Sequence, residues 1–206
     1  LGLMRFIIVL AALDTGSAFE GMGSSREMQF SALAEPALLL SLATVAKVTG
    51  TWSLSEMYAG VTAAVWAQSG ESLILVIAAL LIVFLAENAR IPFDDPATHL
   101  ELTMIHEVMI LDHSGPDLAF LEFANAVKFW TLGTLLVGLA IPIRTGNAWI
   151  DGIACIVGLF ILAVIVGCIE SITARLRLLR VPQMLVGAML LAALGMFVFI
   201  GKEITT

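Results

Sequence analysis

Six ionisable side chains sit inside or at the edge of long apolar stretches: Glu35 beside Pro36, Lys47, Glu87, Glu122, Lys128 and Glu170. A charge at the centre of a lipid-facing helix costs on the order of a few kcal/mol, so such groups are expected to face one another, water or a partner subunit, and they mark ion or proton pathways. Lys47 and Glu170 lie at stretch ends, where a long side chain can equally snorkel to the headgroup layer. Glu122, Asn125 and Lys128 recur every three residues. On one helix that spacing lets neighbouring side chains hydrogen-bond and relay a proton through intervening water. His99, His106 and His113 are seven residues apart, almost two helical turns, which predicts one polar stripe facing water or another subunit. His106 precedes Glu107, and an imidazole with an ordinary pKa of about 6.5 beside a carboxylate can exchange protons near neutral pH. Metal binding is disfavoured, because Val108, Met109 and Ile110 follow and the second histidine of an HExxH pattern is missing.

The elements that must hold these groups are membrane helices. Apolar types make up 60% of the 206 residues and charged types 13%, against roughly 25% charged in soluble proteins, which argues against a soluble globule. Six stretches are long enough to span a bilayer, or nearly so: 1–13, 32–48, 72–88, 117–141, 149–170 and 184–201. Runs such as Leu73–Ala86 and Ile153–Cys168 do not alternate as barrel strands do. Backbone groups that must be satisfied in lipid then require helices. The expected fold class is all-α, a polytopic membrane helix bundle of about six spanning helices with an interfacial helix, forming a single membrane domain over residues 1–206. Its first run begins at Leu1 with neither initiator Met nor cap, so the chain is expected to start inside a longer protein. The basic leader and cleavage site of a signal peptide are absent.

A seventh apolar segment, 98–113, is shorter and carries Glu101, His106 and Glu107. If it does not span, the segments 14–31, 89–116 and 171–183, read as loops, share one face with Arg26, Arg90, Arg175, Arg177 and Arg180, and the other face holds Arg144 and Lys202. Counting it as a span would scatter those arginines, so the positive-inside rule makes it interfacial or re-entrant. The loop 49–71, with Trp52, Tyr58 and Trp66 but no Lys or Arg, then lies outside. A net charge of −7 excludes the cationic field that nucleic-acid binding needs. Cys155 and Cys168 lie thirteen residues apart in one apolar run, roughly 20 Å along a helix, too far to pair with each other. Neither shows a CxxC spacing, so the chain carries no iron–sulfur or zinc motif of its own.

The stretch AENARIPFDD, residues 86–95, resembles the AE-x-N-R-x-P-F-D signature of the complex I membrane subunit at the quinone junction. Its continuation THLELTMIHEVMILDHSG, 98–115, is more similar to the formate hydrogenlyase subunit 4 family of group 4 membrane-bound nickel–iron hydrogenases, which is homologous to the complex I subunit. GMGSSREM (21–28) followed by Glu35, LEFAN (121–125) and ARLRLLRVPQ (174–183) extend the resemblance over nearly the whole chain. It implies an anchor between a peripheral electron-transfer arm and antiporter-like membrane subunits. No redox centre is expected in this chain, with the nickel–iron centre and iron–sulfur clusters held by partners, among them the hydrogenase large and small subunits. By matching position, Glu35, Glu87, Glu101 and Glu122 would link the junction to the membrane proton path, joined on residue chemistry by Glu107 and Lys128. Arg90 and Asp94, with His99, His106, Arg175 and Arg177, would form the interface to the peripheral arm. Where complex I members read a glutamate-rich FDLTEGESE, this chain has Asp95-Pro96 and His99, which argues against quinone chemistry.

The alternatives are a complex I quinone-junction subunit, an autonomous secondary transporter and a passive anchor whose buried charges only fix helix registry. Against the transporter, the two halves show no matching pair of broken helices. A prokaryotic cytoplasmic membrane is the expected location. The arginine asymmetry predicts that an impermeant thiol reagent applied from outside labels a cysteine placed at position 60 and not one at position 90; the opposite pattern would reverse the topology.

Overall fold

The computed structural model describes residues 2–94, 105–110, 112–142, 144–174 and 180–205. Seven α-helices follow in chain order: α1 (Gly2–Asp14), α2 (Ala18–Thr49), α3 (Leu54–Gly60), α4 (Ala63–Glu87), α5 (Gly115–Ala140), α6 (Ala148–Ile172) and α7 (Val181–Thr205). A 3-10 turn, Glu107–Ile110, precedes α5. Five of these helices, α2, α4, α5, α6 and α7, are long and apolar enough to cross a membrane. The first apolar stretch forms α1, thirteen residues long.

Local chemistry explains where the helices begin and end. Gly50 closes α2 in the left-handed conformation at φ 74°, its N–H returning to the Ala46 carbonyl at 2.8 Å; a residue with a Cβ is strained there. Asn147 opens α6 by accepting from the Trp149 N–H at 3.1 Å, and Pro116 sits in the first turn of α5, where its missing N–H is harmless. Helix α4 kinks at Ser69 (φ −126°, ψ 20°). Beside the kink the Gln68 carbonyl accepts from Lys202 Nζ at 2.7 Å, so a charged donor from α7 serves the broken turn.

The core lies where α2, α4 and α7 pack on one another. Ala34 and Ala37 of α2 and Ala188 of α7 share one buried cluster with Leu73, Val76 and Phe84 of α4, and Ala192 of α7 is buried as well. Small residues let the backbones approach, which is how helices gain packing energy in lipid, where burial of apolar surface no longer drives association. Helices α5 and α6 form a second pair that joins through α4. The outer face of α6 exposes Ile153, Val157, Phe160 and Val164, positions three or four apart that present one apolar stripe outward.

Two expectations change. The segment 14–31, read as a loop, belongs largely to α2, which runs unbroken from Ala18 through Pro36 to Thr49. Polar residues made it look like a loop, but Glu20, Gly23, Ser24 and Ser31 face inward. The 98–113 segment was expected to be interfacial or re-entrant, with its histidines on one polar helical stripe; residues 95–104 and 111 lie outside the described residues, and the stretch 105–110 tucks inward. Ile105, Val108, Met109 and Ile110 are buried, with the 3-10 turn seated on α2 and α1. This apolar burial, and not a histidine stripe, sets the conformation, so His106 and His113 do not share a helix.

The seat for that turn is Gly23. A Cβ there would run into the Val108 side chain and lie 3.0 Å from both the Ile105 carbonyl oxygen and Met109 Cγ, whereas nothing lies within 4 Å of a Cβ added at Gly21. Gly23→Ala is expected to destabilise the protein by about 1–3 kcal/mol through overpacking. Gly21→Ala should be neutral or stabilising by up to about 1 kcal/mol from helix propensity. Thermal midpoints of the two variants in detergent check this, and equal midpoints would mean the turn is free to move aside.

Candidate functional site

Arg5 is the centre of the polar interior. It stands in the apolar run of α1 and is buried there. Its Nη1 donates to Glu35 Oε1 at 2.5 Å, its Nη2 donates to both carboxylate oxygens of Glu87, and its Nε lies 3.6 Å from Glu27 Oε1. Glu27 and Glu35 come from α2, and Glu87 is the last residue of α4. On the other side of Glu87, Lys128 Nζ of α5 lies 3.8 Å from its Oε2. Four helices therefore contribute to one row in which carboxylates and cations alternate. An isolated charge in such a place costs several kcal/mol, and only pairing with good geometry offsets that.

The row opens onto a cavity of about 590 Å³ lined by Glu87, Arg90, His106, Glu122, Asn125 and Lys128, with Phe129 and Trp130 supplying an aromatic wall. Glu122 is exposed at its mouth. Arg90 lies 3.7 Å from Glu170 Oε1, and its guanidinium carbon lies 5.7 Å from the Phe129 ring centre. His106 takes its hydrogen bond from Asn125, Nδ2 to Nε2 at 2.8 Å. With the amide nitrogen as donor, Nε2 is the acceptor and the neutral ring carries its proton on Nδ1. Burial first, and then the charge of Lys128, push His106 down to about 4. The ring is therefore neutral near pH 7, and the expected proton exchange around an ordinary histidine pKa does not hold at this position.

The sequence-derived candidates separate into groups. Glu87 and Lys128 meet in the buried row, Glu35 joins it from a half-exposed position, and Glu122 reaches the cavity without touching the row's ions. The triplet Glu122, Asn125 and Lys128 lines one cavity, where Asn125 bonds His106 and Lys128 pairs with Glu87. Asp94 and His106 were expected on an exposed polar face, but Asp94 is 1% exposed and turned inward, its Oδ2 accepting from the Ile105 and His106 N–H groups at 3.0 Å each. His99, Glu101, Arg175 and Arg177 lie outside the described residues, and for Glu107 the backbone alone is described. Lys47 and Glu170 pair near the helix ends, with Glu203 at 3.7 Å and with Arg90 respectively.

Arg5 and Glu27 were missed. The signal for Arg5 was present, since an arginine within an apolar run is itself a mark of function in membrane proteins. Glu27 was hidden by reading its segment as a loop. Among the described residues no group of three or more His, Cys, Asp or Glu side chains could hold a metal ion.

Similarity to known proteins accords with this interior. The chain is 33% identical over 156 residues to hydrogenase-4 component C of Escherichia coli (strain K12), a match covering 76% of this chain and 47% of that protein. It is 29% identical over 186 residues to formate hydrogenlyase subunit 4 of the same organism, covering 87% of this chain and 59% of that one. It thus spans about half the length of the curated relatives it matches. Residues 1–201 match the model of the family described as NADH dehydrogenase. An integral membrane helix bundle with a buried ionic row and a family match over nearly its whole length, the chain belongs to the NADH dehydrogenase family, the family of complex I subunit 1.

Proposed function

We propose that the chain is part of the integral membrane subunit of a membrane-bound nickel–iron hydrogenase complex in a prokaryotic cytoplasmic membrane, where it anchors the peripheral electron-transfer arm and couples redox chemistry to proton or ion movement. The observation that carries this reading is the ionic row Glu35–Arg5–Glu87–Lys128, which runs from the half-exposed Glu35 through the buried Arg5 and Glu87 to the cavity that Glu122 lines. The names of the two relatives, a hydrogenase component and a formate hydrogenlyase subunit, support the choice of complex. The nickel–iron centre and iron–sulfur clusters belong to the large and small hydrogenase subunits, and antiporter-like subunits adjoin in the membrane.

Coupling in this reading is electrostatic. Electron arrival in the peripheral arm changes the field at the cavity, and each carboxylate that gains or loses a proton changes the partner its neighbouring cation prefers. Arg5 remains charged throughout, so protons move among the acids around a fixed positive centre. One unit of pKa change corresponds to about 1.4 kcal/mol, so alternating charges a few ångströms apart can convert a modest field change into directed proton transfer. Arg90, Asp94, His99, His106, Arg175 and Arg177 belong to the face toward the arm, where the buried Asp94 acts by holding the backbone at Ile105 and His106. Glu101 and Glu107 extend the acidic path.

Glu87→Gln keeps size and hydrogen bonding while removing the charge between Arg5 and Lys128. In the assembled complex it should lower redox-driven proton uptake by at least about tenfold, because removal of a proton-transferring group commonly costs about a hundredfold or more. Subunit association, followed by co-purification of the hydrogenase subunits, should persist. Unchanged uptake in Glu87→Gln, Glu35→Gln and Glu122→Gln alike would leave a passive anchor. Arg5→Met should instead destabilise the bundle by about 3–5 kcal/mol, since it strands buried carboxylates without a cation; its thermal midpoint in detergent provides the measurement, and a midpoint equal to that of the unmodified protein would mean the acids do not depend on Arg5.

A further inference from the structure

A second, much smaller space lies behind the cavity. It measures about 10 Å³, close to the least that holds one water, and reaches Arg5, Glu27 and Met109. Three residues line both spaces: Glu87, Lys128 and His106. They form the wall between the open cavity and the interior around Arg5. Glu87 and Lys128 stand on long helices and are held by ion pairs. His106 differs, because it stands on a short non-helical stretch and, among the described residues, its ring is secured by the hydrogen bond from Asn125.

That segment is fastened at both ends by buried carboxylates. At its start, Asp94 Oδ2 accepts from the N–H groups of Ile105 and His106 at 3.0 Å each. At its end, Glu20 Oε1 accepts from the Asp112 N–H at 3.0 Å, and Glu20 Oε2 accepts from the Thr15 hydroxyl. Asp94 is 1% exposed and Glu20 0%, and neither lines the cavity or the small space. Between the two fastenings Val108 and Met109 press on Gly23 of α2. A carboxylate that serves two donors leaves those donors stranded when it is removed, at far greater cost than the bond is worth when made.

We propose that His106 is a movable partition between the open cavity and the Arg5 interior, and that Asp94 and Glu20 are positioning residues that clamp the segment carrying it. The inference rests on the ion path proposed above and specifies where that path is interrupted. With the ring bonded to Asn125, water in the cavity stops at the Glu87–Lys128 pair. When the ring swings away, cavity and small space join, and water reaches Arg5 and Glu27. The neutral ring makes this movement possible without dragging a charge through the apolar surroundings.

Oxidation of Met109 to the sulfoxide by hydrogen peroxide, followed by mass spectrometry of the complete subunit in its membrane, reports solvent access to the small space. Met109 is 1% exposed and lines it. Exposed Met28 and core-buried Met57 give reference rates in the same molecule. His106→Ala and Asn125→Ala should speed Met109 oxidation by about tenfold or more while Met28 and Met57 keep their rates, as expected when a local opening is favoured without global unfolding. Asp94→Ala should do the same, and Asp94→Asn, which keeps an acceptor oxygen, should stay within about twofold of the unmodified chain. Unchanged Met109 oxidation in His106→Ala overturns the partition. Equal rates in Asp94→Ala and Asp94→Asn overturn the clamp, as does a parallel rise at Met57. Because the readout requires no hydrogenase activity or proton movement, it fails independently of the functional reading.

Discussion

The guanidinium of Arg5 cannot shed its charge, and it is buried in a helix whose other residues are almost all apolar. That single constraint orders its surroundings. A planar cation with five donors needs acceptors on several sides, and no one helix can provide them, so α2 contributes Glu27 and Glu35 and α4 contributes Glu87. Lysine would not substitute, because its point charge could not engage two carboxylates along separate edges. The short α1 buries little apolar surface, with Ile8 and Ala12 meeting Met109, and is held largely by this polar junction. Glu87 then stands between two cations, and through Lys128 the arrangement extends to α5.

Rigidity is distributed accordingly. The α2–α4–α7 core closes through small residues, and at the far end from Glu87 it is tied by Lys47–Glu203 and by Lys202 to the Gln68 carbonyl and Glu71. Helices α5 and α6 interlock with each other, Gly133 seating Leu159 and Gly158 seating Val137, and attach to the core along a narrower seam. The cavity lies at the border between these two units, with Glu87 from the first and Glu122, Asn125 and Lys128 from the second. The Glu87–Lys128 pair crosses this border and ties α5 to the end of α4.

Much of this was legible in the sequence, and the gaps have physical causes. Apolar run length identified α4, α5, α6 and α7 because lipid permits no spanning alternative to a helix other than a closed barrel. The acid at the end of α4 and the lysine inside α5 were found because charge among apolar neighbours is expensive. Arg5 escaped notice because its stretch was judged by apolarity alone, and Glu27 because serines and glycines between 18 and 31 resemble a loop until the inward face is known. The stripe of histidines failed for a related reason. A seven-residue spacing counts as one face only if the segment is helical throughout, and the burial of Val108, Met109 and Ile110 as a 3-10 turn is a tertiary outcome that no local pattern contains.

Similar acids end up with unlike roles. Glu20, Glu87 and Asp94 are all buried carboxylates, yet Glu87 faces cations, while Asp94 accepts two backbone N–H groups and Glu20 one, with a hydroxyl at its other oxygen. A carboxylate engaged by backbone donors is tied to the position of a chain segment, and it cannot change partners without moving that segment. A carboxylate engaged by side-chain cations can exchange partners while the backbone stays still. Counting acids in an apolar sequence therefore overstates the length of an ion path, since part of the count is committed to holding irregular backbone where lipid and core offer it no water. The irregular segment that carries His106 is a case in point, since the two buried acids that accept from its backbone, Asp94 and Glu20, have no place in the ionic row.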